Sequence, residues 1–163
     1  MKQIWAPWRM DYVTNQQPQG CIFCIDEDIS HDRDRLLLHR TEHSLVMLNR
    51  YPYTNGHLMV APRRHTAVLT SLADREALDI FRTVSLCTTV LQEVAAPQGF
   101  NIGLNLGKAG GAGVEEHLHV HIVPRWNGDT NFMTVVADVR VVPEGLHVAY
   151  DNLRVRFEKV SAA

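Results

Sequence analysis

Three histidines at every second position, His117, His119 and His121 in EEHLHVHIVPRW, are the residues best placed by type and spacing to do chemistry. In a β-strand that spacing puts all three rings on one face and Leu118, Val120 and Ile122 on the other. A strand whose second face is apolar throughout packs that face into a core and offers imidazoles on the first. Three polar rings with no apolar residue between them are a costly core face, so simple burial explains them poorly. One zinc ion shared by all three is also excluded on a straight strand. The outer Cα atoms would stand about 13.5 Å apart, whereas each nitrogen must come within about 2.0–2.1 Å of the metal. What remains is a row of imidazoles facing a multiply charged anion, and a chain of phosphates repeats its oxygens along just such a line. An imidazole with one nitrogen free and the other held by an acceptor is a nucleophile towards phosphorus near neutral pH. The central residue, His119, would attack while its neighbours bond the non-bridging oxygens. The loop from Gly107 to Gly113 leads into this strand with backbone N–H groups able to approach an anion, although a glycine-rich hairpin turn explains the loop alone equally well.

A second candidate centre is Cys21-Ile22-Phe23-Cys24, two thiolates at the spacing of half a structural zinc site. A redox pair is the competing reading, with no thioredoxin-like βαβ pattern around it to favour it. Cys87 falls inside a helical pattern and reads as a core residue.

The elements that must position these residues are legible in outline. Thr41 to Leu48 alternates and is β-rich, the turn signal YPYTNG follows, and His57 to Ala61 reads as a second strand of a hairpin-like pair. Ser71 followed by Asp74 reads as a helix N-cap, and Leu78, Phe81, Val84, Thr88, Leu91 and Val94 recur at helical spacing until Pro97 and Gly99. Phe100, Ile102, Leu104 and Leu106 alternate with Asn101, Gly103 and Asn105, a strand antiparallel to the histidine strand across the glycine loop. The tail reads as further β-rich pieces, Thr134 to Val142 and Leu153 to Val160. The charged stretch DEDISHDRDR reads as a solvated surface. Strands on either side of one long helix predict an α+β fold with an antiparallel sheet.

Bulk properties narrow the function. The 163 residues carry 16 basic and 18 acidic side chains, a net charge of -2, with no basic block. Nucleic acid and anionic membranes are therefore not expected partners. No apolar run reaches membrane-spanning length and no signal peptide is evident, so a cytoplasmic location is expected. Three cysteines, an odd number, argue against a disulfide framework. No repeat or low-complexity tract divides the chain.

The His-x-His-x-His run followed by two apolar residues, together with Asn49 ahead of Gly56-His57-Leu58-Met59-Val60 and Asn105 before the glycine loop, resembles the histidine triad (HIT) family of nucleotide hydrolases and transferases. IWAPWRMDY, LNRYPYTNGHLMV, GFNIGLNLG and the Pro-Arg-Trp plus Gly-Asp-x-Asn-Phe extension look most like its diadenosine tetraphosphate phosphorylase branch. The resemblance implies a five-stranded antiparallel sheet with one long helix and a shorter one, in a single domain over 1–163. That domain divides into an N-terminal arm (1–20), a catalytic core (21–133) and a C-terminal extension (134–163). It implies that His119 forms a nucleotidyl-histidine, that His57 and His121 contact phosphate oxygens, and that Asn49 meets a ribose and Asn105 the α-phosphate side. The carbonyl of His117 would orient His119. The reaction implied is cleavage of a dinucleoside polyphosphate with inorganic phosphate to ATP and ADP, in a homodimer without an organic cofactor. A nucleoside phosphoramidase and a non-catalytic nucleotide-binding regulator are the alternatives. Gly113 and Val114 stand where many members carry Gln-Ser or Gln-Thr, leaving Gly113 as a backbone contact only and Lys108 as an electrostatic substitute. Bacterial members with the same CxxC complete a zinc site in a way that here implies Cys21, Cys24, His65 and His117. His117 is thus expected either on substrate or on the metal. Trp5, Trp8 and Trp126 read as a base-stacking wall, a dimer contact or plugs at the sheet edges. Arg125 reads either as a residue near phosphate or as an exposed basic residue after the strand end that needs no role.

Overall fold

The computed structural model describes residues 20–129 and 144–161. The N-terminal arm with Trp5 and Trp8, the boundary at 133/134 and the expected strand Thr134 to Val142 lie outside them. Five strands, β1 (Leu37–Arg40), β2 (Ser44–Leu48), β3 (Leu58–Pro62), β4 (Gly99–Leu104) and β5 (Val120–Arg125), form one sheet in the order β1-β2-β3-β5-β4. Every neighbouring pair is antiparallel. With helices packed on one face this is the expected α+β architecture. SLVML and LMVAP are buried at every position, which is how central strands covered on both faces read in sequence. β1 was not expected. Its four residues follow a charged one-turn helix, α1 (Asp32–Arg35), and pair with β2 through a bulge between Leu37 and His39.

Helix α2 (Asp74–Ala95) is the long helix, and its boundaries and face differ from the sequence reading. Ser71 belongs to a preceding 3-10 turn, and the N-cap is Ala73, whose N–H is taken by the Glu76 carboxylate at 2.9 Å. The helix stops at Ala96, left-handed at φ 44°, immediately before Pro97. Its buried stripe is Ile80, Thr83, Val84, Cys87, Val90 and Leu91. Leu78 and Phe81 point away from the sheet, and Phe81 is 78% exposed. The period was right and the stripe was shifted: Val84 and Leu91 are buried as expected and Cys87 is the core residue it reads as, while Thr83, neutral on paper, also occupies the seam.

The expected strand Leu153 to Val160 is a helix, α3 (Leu146–Ser161). Leu146, Ala149, Tyr150, Leu153, Phe157 and Val160 recur every three or four residues and join the core, while the β-branched Val148 and Val155 face solvent. Burial of the helical stripe outweighs the local β preference. Both long helices cover the same face of the sheet, where Leu36, Leu38, Val46, Leu48, Leu58, Val60, Val120 and Ile122 meet them. The charged stretch also holds one buried member. Asp32 accepts from Arg40 at 2.5 and 2.7 Å and lies 3.8 Å from Arg154, while Arg33 forks onto Asp151. These pairs, with Tyr150 donating to the Leu37 carbonyl, strap α3 to β1. No helix among the described residues is long and apolar enough to cross a membrane.

Candidate active site

The site forms on the sheet face opposite the helices. There, Leu37, Leu45, Met47, Met59 and Ala61 make a small apolar floor under Phe23, and Val114 packs against it. Further along, β4 and β5 leave Asn101, Gly103, Asn105, His121 and Arg125 on an open cavity of about 980 Å³ that wraps the β4 edge and is also lined by Leu91, Val94 and Leu153 from the helix side. His57 enters β3 from a turn that requires glycine. Gly56 has φ +74°, and a Cβ there would stand 3.1 Å from the Leu91 methyl.

The three histidines do not share one strand. β5 begins at Val120, so only His121 is a strand residue. The backbone at 117–119 instead runs beside residue 66, with Leu118 N–H donating to the Thr66 carbonyl at 2.7 Å. His117 diverges from the other two as a result. Its ring is 1% exposed, Nε2 donates to the Pro62 carbonyl at 2.8 Å, and Nδ1 lies 3.1 Å from Cys21 Sγ and 3.9 Å from Cys24 Sγ. Both ring nitrogens thus face partners within the protein. His65 Nδ1 lies 3.2 Å from Cys24 Sγ, and the four donor atoms fall within 4.8 Å of one another. A tetrahedral ion with bonds of about 2.0–2.1 Å to nitrogen and about 2.3 Å to sulfur needs donors roughly 3.3–3.8 Å apart. The set therefore fits zinc in chemistry and spacing. Desolvation first, and the neighbouring Cys21 second, hold the Cys24 thiol above its ordinary range, a penalty that a cation between the sulfurs would remove.

His119 keeps the geometry of a nucleophile. Its Nδ1 donates to the His117 carbonyl at 2.8 Å, which fixes the proton there and leaves Nε2 with a lone pair. That Nε2 has no hydrogen-bond partner among the described residues, and the residue, 4% exposed, lies beside His121 rather than on the open cleft itself. Burial keeps the ring neutral, pushing its pKa below the ordinary histidine value against the pull of the His117 carbonyl. Phe23 backs the ring at 5.0 Å between centroids, and His121 meets it edge-on at 4.8 Å. The pKa of His121 falls to about 4, from burial and then from His119.

His57 is fully buried. Its Nε2 lies 3.0 Å from His121 Nδ1, and its Nδ1 receives the Tyr53 N–H at 3.2 Å. It touches His121 rather than the open cleft. Asn49 is half-buried beside it, with its amide nitrogen 3.3 Å from His57 Nδ1. Asn105 Nδ2 lies 3.4 Å from His121 Nε2 and the same distance from the Gly111 carbonyl. Gly113 and Lys108 sit on the exposed loop. The Arg125 charge is already matched, by two bonds to Asp129 at 2.5 and 2.8 Å and one to Asn101 at 2.8 Å. Trp126 donates to the Ala95 carbonyl and closes the end of α2. Two contributors were missed from sequence. Phe23 carried a signal, an aromatic between the two cysteines of CxxC. Tyr53, whose ring is 4.6 Å from His57, carried none beyond its turn.

A model of the HIT domain matches residues 31–128. The chain belongs to the HIT family. An AP-4-A phosphorylase from Mycobacterium tuberculosis is 37% identical over 153 residues, covering 88% of this chain and 78% of that protein. The asymmetrical bis(5'-nucleosyl)-tetraphosphatase of Schizosaccharomyces pombe is 34% identical over 57% of this HIT chain and 50% of its own length. Among solved structures, a Zn-bound histidine triad protein from Mycobacterium smegmatis superposes with a TM-score of 0.63 at 28% identity, over 78% of this chain and 86% of that one.

Proposed function

We propose that the protein is a nucleotidyl transferase cleaving dinucleoside polyphosphates such as diadenosine tetraphosphate, by phosphorolysis to ATP and ADP. The observation that carries this reading is the His119 imidazole, held at Nδ1 by the His117 carbonyl with Nε2 free. Nε2 attacks the α-phosphorus, a P–N bond forms, and the P–O bond to the leaving ATP breaks. An oxygen of inorganic phosphate then attacks the same phosphorus, the P–N bond breaks, and ADP leaves with His119 restored. His121 donates to the oxygens that gain charge, Asn105 lies on the α-phosphate side, Asn49 meets the ribose, and the Gly113 backbone lines the entry. The similarity to an AP-4-A phosphorylase over most of the chain favours phosphate as acceptor. Incubation with diadenosine tetraphosphate and labelled phosphate should place label in ADP. AMP and ATP as sole products would assign water as acceptor, and faster turnover of adenosine phosphoramidate would assign a phosphoramidase. Tight nucleotide binding with no turnover of either would leave a regulator.

Cys21, Cys24, His65 and His117 are proposed to hold a structural zinc ion, which would tie the segment at residue 21 to the residue whose carbonyl orients His119. Metal analysis of protein purified without chelator tests this. A cytoplasmic homodimer completes the reading. β4 is an edge strand with an open ladder, and Ile102 and Leu104 on it are 49% and 39% exposed, a margin suited to a second copy. A Leu104→Lys variant that is monomeric by light scattering, against a dimeric parent, is the expected result.

A further inference from the structure

A nucleophile has to be aimed, and the backbone of His119 does not aim it. β5 begins only at Val120, so His119 lies just before the sheet register takes hold. The bond from Nδ1 to the His117 carbonyl fixes one corner of the ring and leaves a pivot about that corner, which would carry Nε2 through an arc. Two neighbouring rings narrow the arc. His121 stands edge-on at 4.8 Å and 73°, and Phe23 lies 5.0 Å away, tilted by only 31° from the His119 plane. His121 lines the cleft, whereas Phe23 is fully buried and does not. Phe23 is also the better rooted of the two. A turn closed by the Cys24 N–H on the Cys21 carbonyl carries it, and its own carbonyl accepts the Ile25 N–H at 3.1 Å. Below it lies the floor of Leu37, Leu45, Met47, Met59 and Ala61, and beside it the flanking Sγ atoms stand 3.1 Å from His117 and 3.2 Å from His65.

We propose that Phe23 is a positioning residue for the nucleophile, a flat wall that holds the His119 imidazole in the one plane from which Nε2 reaches phosphorus. Its contribution is shape. A benzene ring neither donates a hydrogen bond nor carries charge, and with two side-chain torsions packed on a floor it offers a face that does not move. Reacting atoms must stand about 3–3.5 Å apart and in line, and a displacement of about 1 Å can cost about 10²-fold in rate. The spacer of the CxxC segment, and not only its cysteines, thereby enters the reaction. This consequence rests on the nucleotidyl-transfer reading above, whereas the confinement of the ring is a property of the free protein.

Two substitutions separate a wall from a filler. Phe23→Met keeps most of the volume and should hold the melting temperature within about 5 °C of the parent, but it replaces a plane by a chain with three rotatable bonds. Its kcat should fall by about 10²-fold, with KM and metal content unchanged. Phe23→Tyr keeps the plane and buries a hydroxyl, so it should melt below the methionine variant and yet retain most of the parent kcat. A role in packing alone predicts the opposite order, with kcat following the melting temperature. A methionine variant as fast as the parent, a loss confined to KM, or a tyrosine variant as slow as the methionine one each overturns the proposal. Carbon-13 relaxation of the His119 ring in the ligand-free protein reads the confinement without any turnover. An order parameter of about 0.85 is expected in the parent and one below about 0.6 in Phe23→Met. Equal order in the two sinks the proposal, whatever the enzyme does. Absence of turnover in the parent would instead fail the nucleotidyl-transfer reading and leave the relaxation measurement to decide on Phe23.

Discussion

His117 and His121 flank His119 symmetrically in sequence and share nothing else. The first is turned into a nest of two sulfurs, another imidazole and a backbone carbonyl, and acts on the nucleophile through its own carbonyl oxygen. The second lies between His57 and Asn105, its two ring nitrogens 3.0 and 3.4 Å from them, and faces the cleft. What separates them is the point at which β5 begins. Residues before Val120 are free of the sheet register and bend towards Cys21, and residues after it are held on the cleft face. Equal spacing in sequence thus placed one ring in the Cys/His cluster and its counterpart on the cleft.

The comparison can be broken in order of effect. His119→Ala should abolish turnover by about 10⁴-fold or more, with nucleotide binding retained by calorimetry, since it removes the group that forms the covalent bond. His117→Ala should lose bound metal and lower the melting temperature sharply, and kcat with it, because an uncovered pair of thiols and a freed loop remain behind. His121→Ala should instead leave the melting temperature within about 2–4 °C of the parent and lower kcat by about 10²–10³-fold. If the two flanking variants behaved alike, the division of labour would be wrong. A smaller effect concerns acid. An unfolded histidine takes up a proton near its ordinary pKa of about 6.5, whereas folded His121 resists until about 4. Between those values the unfolded chain binds the extra proton, so stability should fall as the pH drops from about 6.5 towards 4, less so in His121→Asn. The smallest sits at the start of α2. The Arg64 guanidinium, then the Ala73 N–H, holds Glu76 at about 2, so its contribution is present above the unfolded value of about 4.5 and lost as the pH falls towards 2. Because Arg64 is about half exposed, Glu76→Gln should cost only about 1 kcal/mol by denaturant unfolding at pH 7.

Much of this was legible in the residues. The alternation around His121 and the apolar Leu118, Val120 and Ile122 announced a strand and its buried side, and the glycine loop announced the antiparallel partner. Leu153 to Val160 was misread because Val155 and Val160 raise the local β preference, and only the core beneath Leu153 and Phe157 tells that Val155 is on the outward side. The face of α2 was misphased for a related reason, since Thr83 takes its buried place from packing. β1 escaped because LLHR is too short to show a period and gains its stability from β2 and α3. Among the site residues, the positions of Asn49, His57 and His121 were visible, but the hydrogen bonds that hold Asn49 and His57 were not. They come from the backbone N–H groups of Tyr51 and Tyr53, which any residue other than proline supplies.

Phe23 lies between the two sulfur-bearing residues and against the rings of both His117 and His119. A metal ion gripping Cys21 and Cys24 would clamp this benzyl group from both chain directions at once. The supply of the ion in the surroundings would then set how firmly the His119 ring is backed.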